Sequence, residues 1–380
     1  MHCRLHRFSL AKAVPLTISR GTTASGEHLV LAIEDDGLVG LGETGGFDTG
    51  HRSFHTAALV QELEGLLPAL AARPPEPRQA LEPLLAPLSP PARCAVDLAL
   101  LDWWGQRLGT PVGRLWGLDP ALAAPTSVTL GLNSVPQVLE RLRRWWELLP
   151  ASRVKLKLGS PDGPDHDRAL VLAVNRALAD RRDATGMAVE LQVDANGGWD
   201  LAQARSMVGW LADAGVVLVE QPLPPLPDPE ADAAGFAALH PDCPIPLVAD
   251  ESCWTLEDVL RLAPHVDGVN IKLPKSGGLS EAVLMAQVAR RLGLDVMLGC
   301  YSNSTLLNGA AAQLLPLVRW PDLDSHLNLV EDPFTGPVLD HDRLRPGVGP
   351  GLGVRVRQDG AMAAGRWLAK PSEKAPHAPA

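Results

Sequence analysis

Three stretches decide the fold: VELQVDANGGW (189–199), VVLVEQP (216–222) and PLVADES (246–252), each an apolar run that closes on an acidic residue. Short apolar runs bounded by Gly, Pro and Asn read as buried strands, and intervals of roughly 20 to 35 residues leave room for one helix between consecutive runs. Working outward, the alternation gives eight predicted strands: Ser127 to Gly131, Arg153 to Leu158, Val189 to Asp194, Val216 to Glu220, Leu247 to Asp250, Gly268 to Lys272, Asp295 to Gly299, and a last one ending near Asp324. Eight parallel strands with helices between them predict a (β/α)8-type barrel, whose chemistry sits at the C-terminal strand ends.

The first 120 or so residues lack this rhythm. Glu27 to Ile33 and Gly37 to Gly42 flank the turn Glu34-Asp35-Asp36 and read as a β-hairpin. Helices are expected near Thr56 to Ala71 and through ARCAVDLALLDWWGQRLG, where Gly109 and Pro111 stop the second one. The predicted organisation is an α+β domain over 1–122 and a barrel over 123–344. A segment at about 345–370 is expected to pack back on the first domain, and 371–380 to be a disordered tail.

Composition removes several alternatives. With 44 acidic and 34 basic residues the net charge is −10, which argues against nucleic-acid and anionic-membrane partners, because both need clustered cations. Five scattered cysteines without a CxxC pair fit reduced thiols. No apolar run resembles a signal peptide or membrane helix, so a cytoplasmic location is expected.

Acidic residues closing apolar strands need a reason. In a closed barrel Asp194, Glu220 and Asp250 would converge at one mouth, where they would repel each other and raise one another's pKa. A hard divalent cation resolves this. An all-oxygen donor set favours Mg²⁺, with Mn²⁺ as the alternative. Asn196 and Glu251, beside these ligands, are expected to support them from behind.

Only seven of the 34 basic residues are lysines, and four of those form two tight pairs. In VKLKLG, Lys155 and Lys157 lie two apart on a strand and share a face, expected to be the inward one. Their mutual repulsion and burial predict a lowered pKa, making Lys157 a base. Lys272 closes GVNIK in the same way; Lys275, in the following loop, reads as ordinary. Strands two and six are opposed in an eight-stranded barrel. The metal would therefore lie between two lysines, and the α-carbon of a metal-bound carboxylate between two bases. Proton removal on one face and return on the other predicts racemisation or epimerisation through an enediolate.

These residues resemble the enolase superfamily, in particular its muconate lactonising enzyme subgroup. The resemblance runs from GLVGLGE through AVDLALLDWWGQRLGTPVGRLWG, VKLKLG, DANGGW, VEQP, ADES and NIKLPKSGG. It implies an N-terminal capping domain over a (β/α)7β barrel of the TIM type, with Asp194, Glu220 and Asp250 as metal ligands and Lys157 and Lys272 as the two catalytic bases. Such sites are a known setting for a lysine base working with Mg²⁺. It also implies a small-molecule carboxylate substrate, and family members frequently assemble as homo-oligomers.

Within the subgroup the last strand points to dipeptide epimerases. Asp322 and Asp324 in WPDLDS match a DxD feature suited to a substrate α-ammonium group. Muconate cycloisomerases, o-succinylbenzoate synthases and N-acylamino acid racemases are the alternatives. The end of strand seven, MLGCYSNSTLLNG, departs from the usual Gly-Ser-Met-Ile-Glu-Thr type, putting Cys300, Tyr301, Ser302 and Asn303 at the mouth. Lys155, Cys300 and Arg20, the last in TISRGTTASGE, complete the expected substrate contacts, Arg20 as a partner for an acidic side chain. His51 and His55 read as surface or loop histidines, and GVGPGLG near Gly347 is no dinucleotide loop because no helix follows it.

Overall fold

The computed structural model describes residues 1–358. The expected tail at 371–380 lies outside the described residues, as does 359–370. Eight parallel strands, Val128–Leu130, Arg153–Lys157, Glu190–Asp194, Leu218–Glu220, Leu247–Ala249, Gly268–Ile271, Asp295–Gly299 and Trp320–Asp322, form one sheet in sequence order. The Ser127 amide donates to the Pro321 carbonyl at 2.9 Å, joining the first strand to the eighth and closing the ring. All eight lie where the apolar runs place them.

The barrel interior is layered by the two-residue period of its strands. Leu218, Val248, Met297 and Trp320 form a small apolar cluster. Two residues further along their chains, on the same face, stand Glu220, Asp250 and Asp322. The pleat that plugs the barrel with apolar side chains thus sets a layer of carboxylates directly above the plug. Helices seal the outside. Leu201–Asp213, for example, opens with a capping box between Asp200 and Gln203 and buries Ala204, Met207, Val208 and Leu211 at helical spacing.

The first domain carries the expected hairpin, Gly21–Asp35 paired with Leu38–Gly45, turning through Asp36 (φ 49°) and Gly37 (φ 75°). A third antiparallel strand, His2–Ile18, was not expected. Its apolar positions are interrupted by His, Arg and Lys because it is an edge strand with a polar outer face. Pairing of this strand with the hairpin is broken between Ala11 and Leu16, where four residues bulge out of register. The helix Pro90–Arg107 presses on Leu38–Gly45 so closely that a Cβ at Gly40 or Gly42 would lie about 2 Å from the Ala99 or Ala95 carbonyl oxygen.

Two buried carboxylates tie the parts together. Glu43 accepts from the Ser304 amide (3.1 Å), the Ser304 hydroxyl and the Leu307 amide (3.0 Å), capping the helix that follows strand seven. Asp102 accepts from the Leu41 and Leu352 amides at 2.9 and 2.7 Å. The segment around Gly351 also exchanges backbone bonds with Thr110 and Val112.

Candidate active site

Between the first domain and the C-terminal strand ends lies a cavity of about 930 Å³, large enough for a dipeptide-sized ligand. Asp194, Glu220 and Asp250 are fully buried, and one oxygen from each lies within 4.8 Å of the others. Among the described residues this is the one group of acidic, His or Cys side chains so arranged, and His51 and His55 are not in it. The Oδ1 of Asn196 and Oε2 of Glu251 are buried without a hydrogen-bond partner. Three converging carboxylates with orphaned oxygens close by fit an oxygen-preferring divalent cation. The backbone amide and Nδ2 of Asn196 donate to Asp194 (2.8 and 3.0 Å), and its Nδ2 to Glu251 at 3.3 Å.

Both expected bases face this triad from opposite strands. Lys157 Nζ donates to Asp194 Oδ2 and Lys272 Nζ to Asp250 Oδ2, each at 2.6 Å. The lowered pKa expected for Lys157 is not what the geometry gives. Burial, the largest single effect, does act in that direction on Lys157, and Lys155 adds repulsion, but the negative charges of Asp194, Glu220 and Asp322 together outweigh them and the pKa is raised. Lys272 is likewise raised, burial being overcome chiefly by Asp250. The reading from the lysine pair counted the two cations and left out the four carboxylates that share their layer.

Lys155 sits one pleat deeper than Lys157 and is fully buried. It donates to Glu220 Oε2 at 2.5 Å and Asp322 Oδ2 at 2.7 Å. The expectation that it touches substrate is corrected: its ammonium is spent linking a triad carboxylate to the last strand. Glu220 is nonetheless pushed up to about 8, first by burial and then by the charge of Asp194, despite Lys155. Lys275, read as an ordinary loop residue, is also corrected. It is 1% exposed and donates to Asp250 Oδ1 (2.6 Å), the Asp250 carbonyl and the Asn270 carbonyl (3.1 Å). Asp250, held between two lysines, stays well below the usual carboxylate range although burial alone would raise it.

The two acids of the last strand separate in role. Asp322 is neutralised by Lys155 and accepts from the Ser127 hydroxyl at 2.6 Å. Asp324, one pleat nearer the mouth, accepts the Thr129 amide at 2.6 Å and is raised to about 6 by burial and the charge of Asp322. Both line the cavity. Cys300 does so too, its thiol pushed up to about 12 by burial and these two acids, and hence neutral.

Arg20 lines the cavity from the first domain. Its guanidinium donates to Glu251 Oε1 (2.7 Å) and the Asn196 carbonyl (2.6 Å), bracing the first domain against the residues behind the triad. Tyr301 stacks on Phe47 of the first domain at 4.2 Å and 18°, and the Lys272 ammonium lies 4.6 Å from its ring centre. Phe47, Lys12 and Arg141 line the cavity and were not singled out from the sequence. Lys12 had one available signal, its membership of a very small set of lysines.

Comparison with known proteins finds matches to both parts of the chain. Residues 4–117 match the mandelate racemase / muconate lactonizing enzyme N-terminal domain, and residues 137–360 match the enolase C-terminal domain-like family. A hydrophobic dipeptide epimerase of a Flavobacteria bacterium is 36% identical over 370 residues, covering 94% of this chain and 99% of its own. One from Roseobacter litoralis is 36% identical over 362 residues, with 93% and 98% covered. The solved dipeptide epimerase of Enterococcus faecalis, complexed with Mg and the dipeptide L-Leu-L-Tyr, superposes with a TM-score of 0.82 at 28% identity, covering 93% of this chain and 98% of that one.

Proposed function

The chain belongs to the enolase superfamily, in the group built from the mandelate racemase / muconate lactonizing enzyme N-terminal domain and the enolase-like C-terminal domain, and from that premise we propose that it is an Mg²⁺-dependent dipeptide epimerase. One observation carries the reading: two buried lysines, on strands two and six, face one carboxylate triad from its two ends. Asp194, Glu220 and Asp250 would hold the cation, which supplies positive charge where a substrate carboxylate gains negative charge as its α-proton leaves.

The protein's own groups do the rest. Lys157 Nζ and Lys272 Nζ serve the two faces of the α-carbon, one taking a proton and the other returning one. Lys155 and Lys275 hold Glu220 and Asp250 in place. Phe47 and Tyr301 cover the Lys272 side and keep water from it. Asp324 takes the α-ammonium, since Asp322 is already paired with Lys155. With Arg20 engaged by Glu251, the first-domain wall offers Leu16, Ile18 and Phe47, which suits an apolar carboxy-terminal side chain.

A panel of L,L-dipeptides incubated with and without Mg²⁺, then resolved by chiral chromatography, tests this. Inversion at the carboxy-terminal residue that depends on Mg²⁺ is expected. Failure with every dipeptide sinks the reading. Asp324→Asn should lower kcat/KM for dipeptides by about tenfold or more, mainly through KM, while the Mg²⁺ concentration for half-activation stays put. An unchanged kcat/KM removes the ammonium assignment.

A further inference from the structure

Among the described residues five lysines are buried: Lys12, Lys155, Lys157, Lys272 and Lys275. Four of them contact carboxylates. Lys12 is the exception. It comes from the edge strand of the first domain, is 9% exposed, and its ammonium has the Ser302 hydroxyl as hydrogen-bond partner with no carboxylate in ion-pair range among the described residues. A buried cation held only by a neutral hydroxyl is unfavourable unless something else in use supplies negative charge.

Its placement is built, not incidental. Lys12 opens the four-residue bulge that interrupts pairing with the hairpin. The flanking backbone is fastened to the loop after strand eight through Val330 N to Ala11 O at 2.9 Å and Val14 N to Asn328 Oδ1 at 3.2 Å. Bulges re-aim side chains, and this one delivers Lys12 to the cavity at the end formed by Cys300, Ser302 and Asp324. Burial lowers its pKa and Asp324 opposes that, which places the two groups in each other's field. Arg141 adds a second cation there. Its guanidinium lies 4.1 Å over the Trp145 ring with no carboxylate partner among the described residues, whereas neighbouring Arg144 is paired with Glu140. This end of the cavity therefore holds one substrate-facing carboxylate and two cations without a carboxylate in ion-pair range among the described residues.

We propose that this end reads an acidic amino-terminal residue, so that the substrates are aspartyl or glutamyl dipeptides whose side-chain carboxylate binds Lys12 while their ammonium binds Asp324. The inference rests on the dipeptide reading above and specifies its substrate class. A dipeptide anchored at the triad by its carboxylate runs towards strand eight, bringing its amino-terminal residue to Lys12.

The test compares L-Glu-L-Leu with the isosteric neutral L-Gln-L-Leu. The wild-type enzyme should favour the glutamyl substrate by about tenfold or more in kcat/KM. Lys12→Met should bring that ratio close to one, and Lys12→Glu should make L-Lys-L-Leu better than L-Gln-L-Leu. A wild-type ratio at or below one overturns the inference, as does a ratio that survives Lys12→Met. The wild-type comparison decides even if a variant fails to fold. Turnover of L-Ala-L-Leu without a glutamyl preference leaves the epimerase reading standing and removes this one; no turnover of any dipeptide removes both.

Discussion

Lys157→Ala and Lys272→Ala each reduce interconversion of the two epimers by about 10²–10⁴-fold, the range expected for removing a positioned acid or base, and they do so in complementary ways. With Lys272 gone, Lys157 still removes the α-proton of the epimer that presents it to that face and returns a solvent-derived one to the same face. Proton NMR in D₂O should then show exchange of one epimer without inversion. The Lys157→Ala variant should show the same with the other epimer. Exchange of the same epimer by both variants, or inversion surviving in either, contradicts a base on each face. The geometry behind this is the pairing of Lys157 with Asp194 and of Lys272 with Asp250.

Lys155→Met destabilises the fold by about 3–5 kcal/mol, the usual result of breaking a buried ion pair from one side. Its ammonium is the shared partner of Glu220 and Asp322 in a layer that excludes water. Removing it leaves Glu220, already raised by burial and Asp194, next to Asp322 with nothing between them. Urea denaturation should show a lower midpoint with an unchanged slope. Adding Asp322→Asn should recover part of the loss, because the second change removes a carboxylate that the first one stranded. A Lys155→Met midpoint equal to that of the wild type would mean that the buried pair contributes nothing.

The barrel was legible because parallel strands buried on both faces read as nearly continuous apolar runs, and because an acid closing such a run has few structural excuses. Asp194, Glu220, Asp250, Lys157 and Lys272 all stood out on that ground. The strand His2–Ile18 did not, since an edge strand alternates with charge and carries Pro15. Lys275 was missed because a lysine in a loop looks solvated, and only the tight turn Leu273–Ser276 folds it back under Asp250. The contact of Arg20 with Glu251 was not legible because the two lie 231 positions apart. The direction of the lysine pKa shifts failed for a similar reason: two neighbours in sequence were weighed, while the opposing charges arrive from strands three, four, five and eight.

The central claim, two lysines on opposite faces of one metal-bound substrate, is tested most directly by the isotope content of the first product. The wild-type enzyme with Mg²⁺ and an L,L-dipeptide in D₂O should give an inverted epimer that carries deuterium at the α-carbon from the first turnover, because the returning proton comes from a lysine that has equilibrated with solvent. An inverted product that keeps the original α-proton would mean that one group moves it across, and would contradict the account.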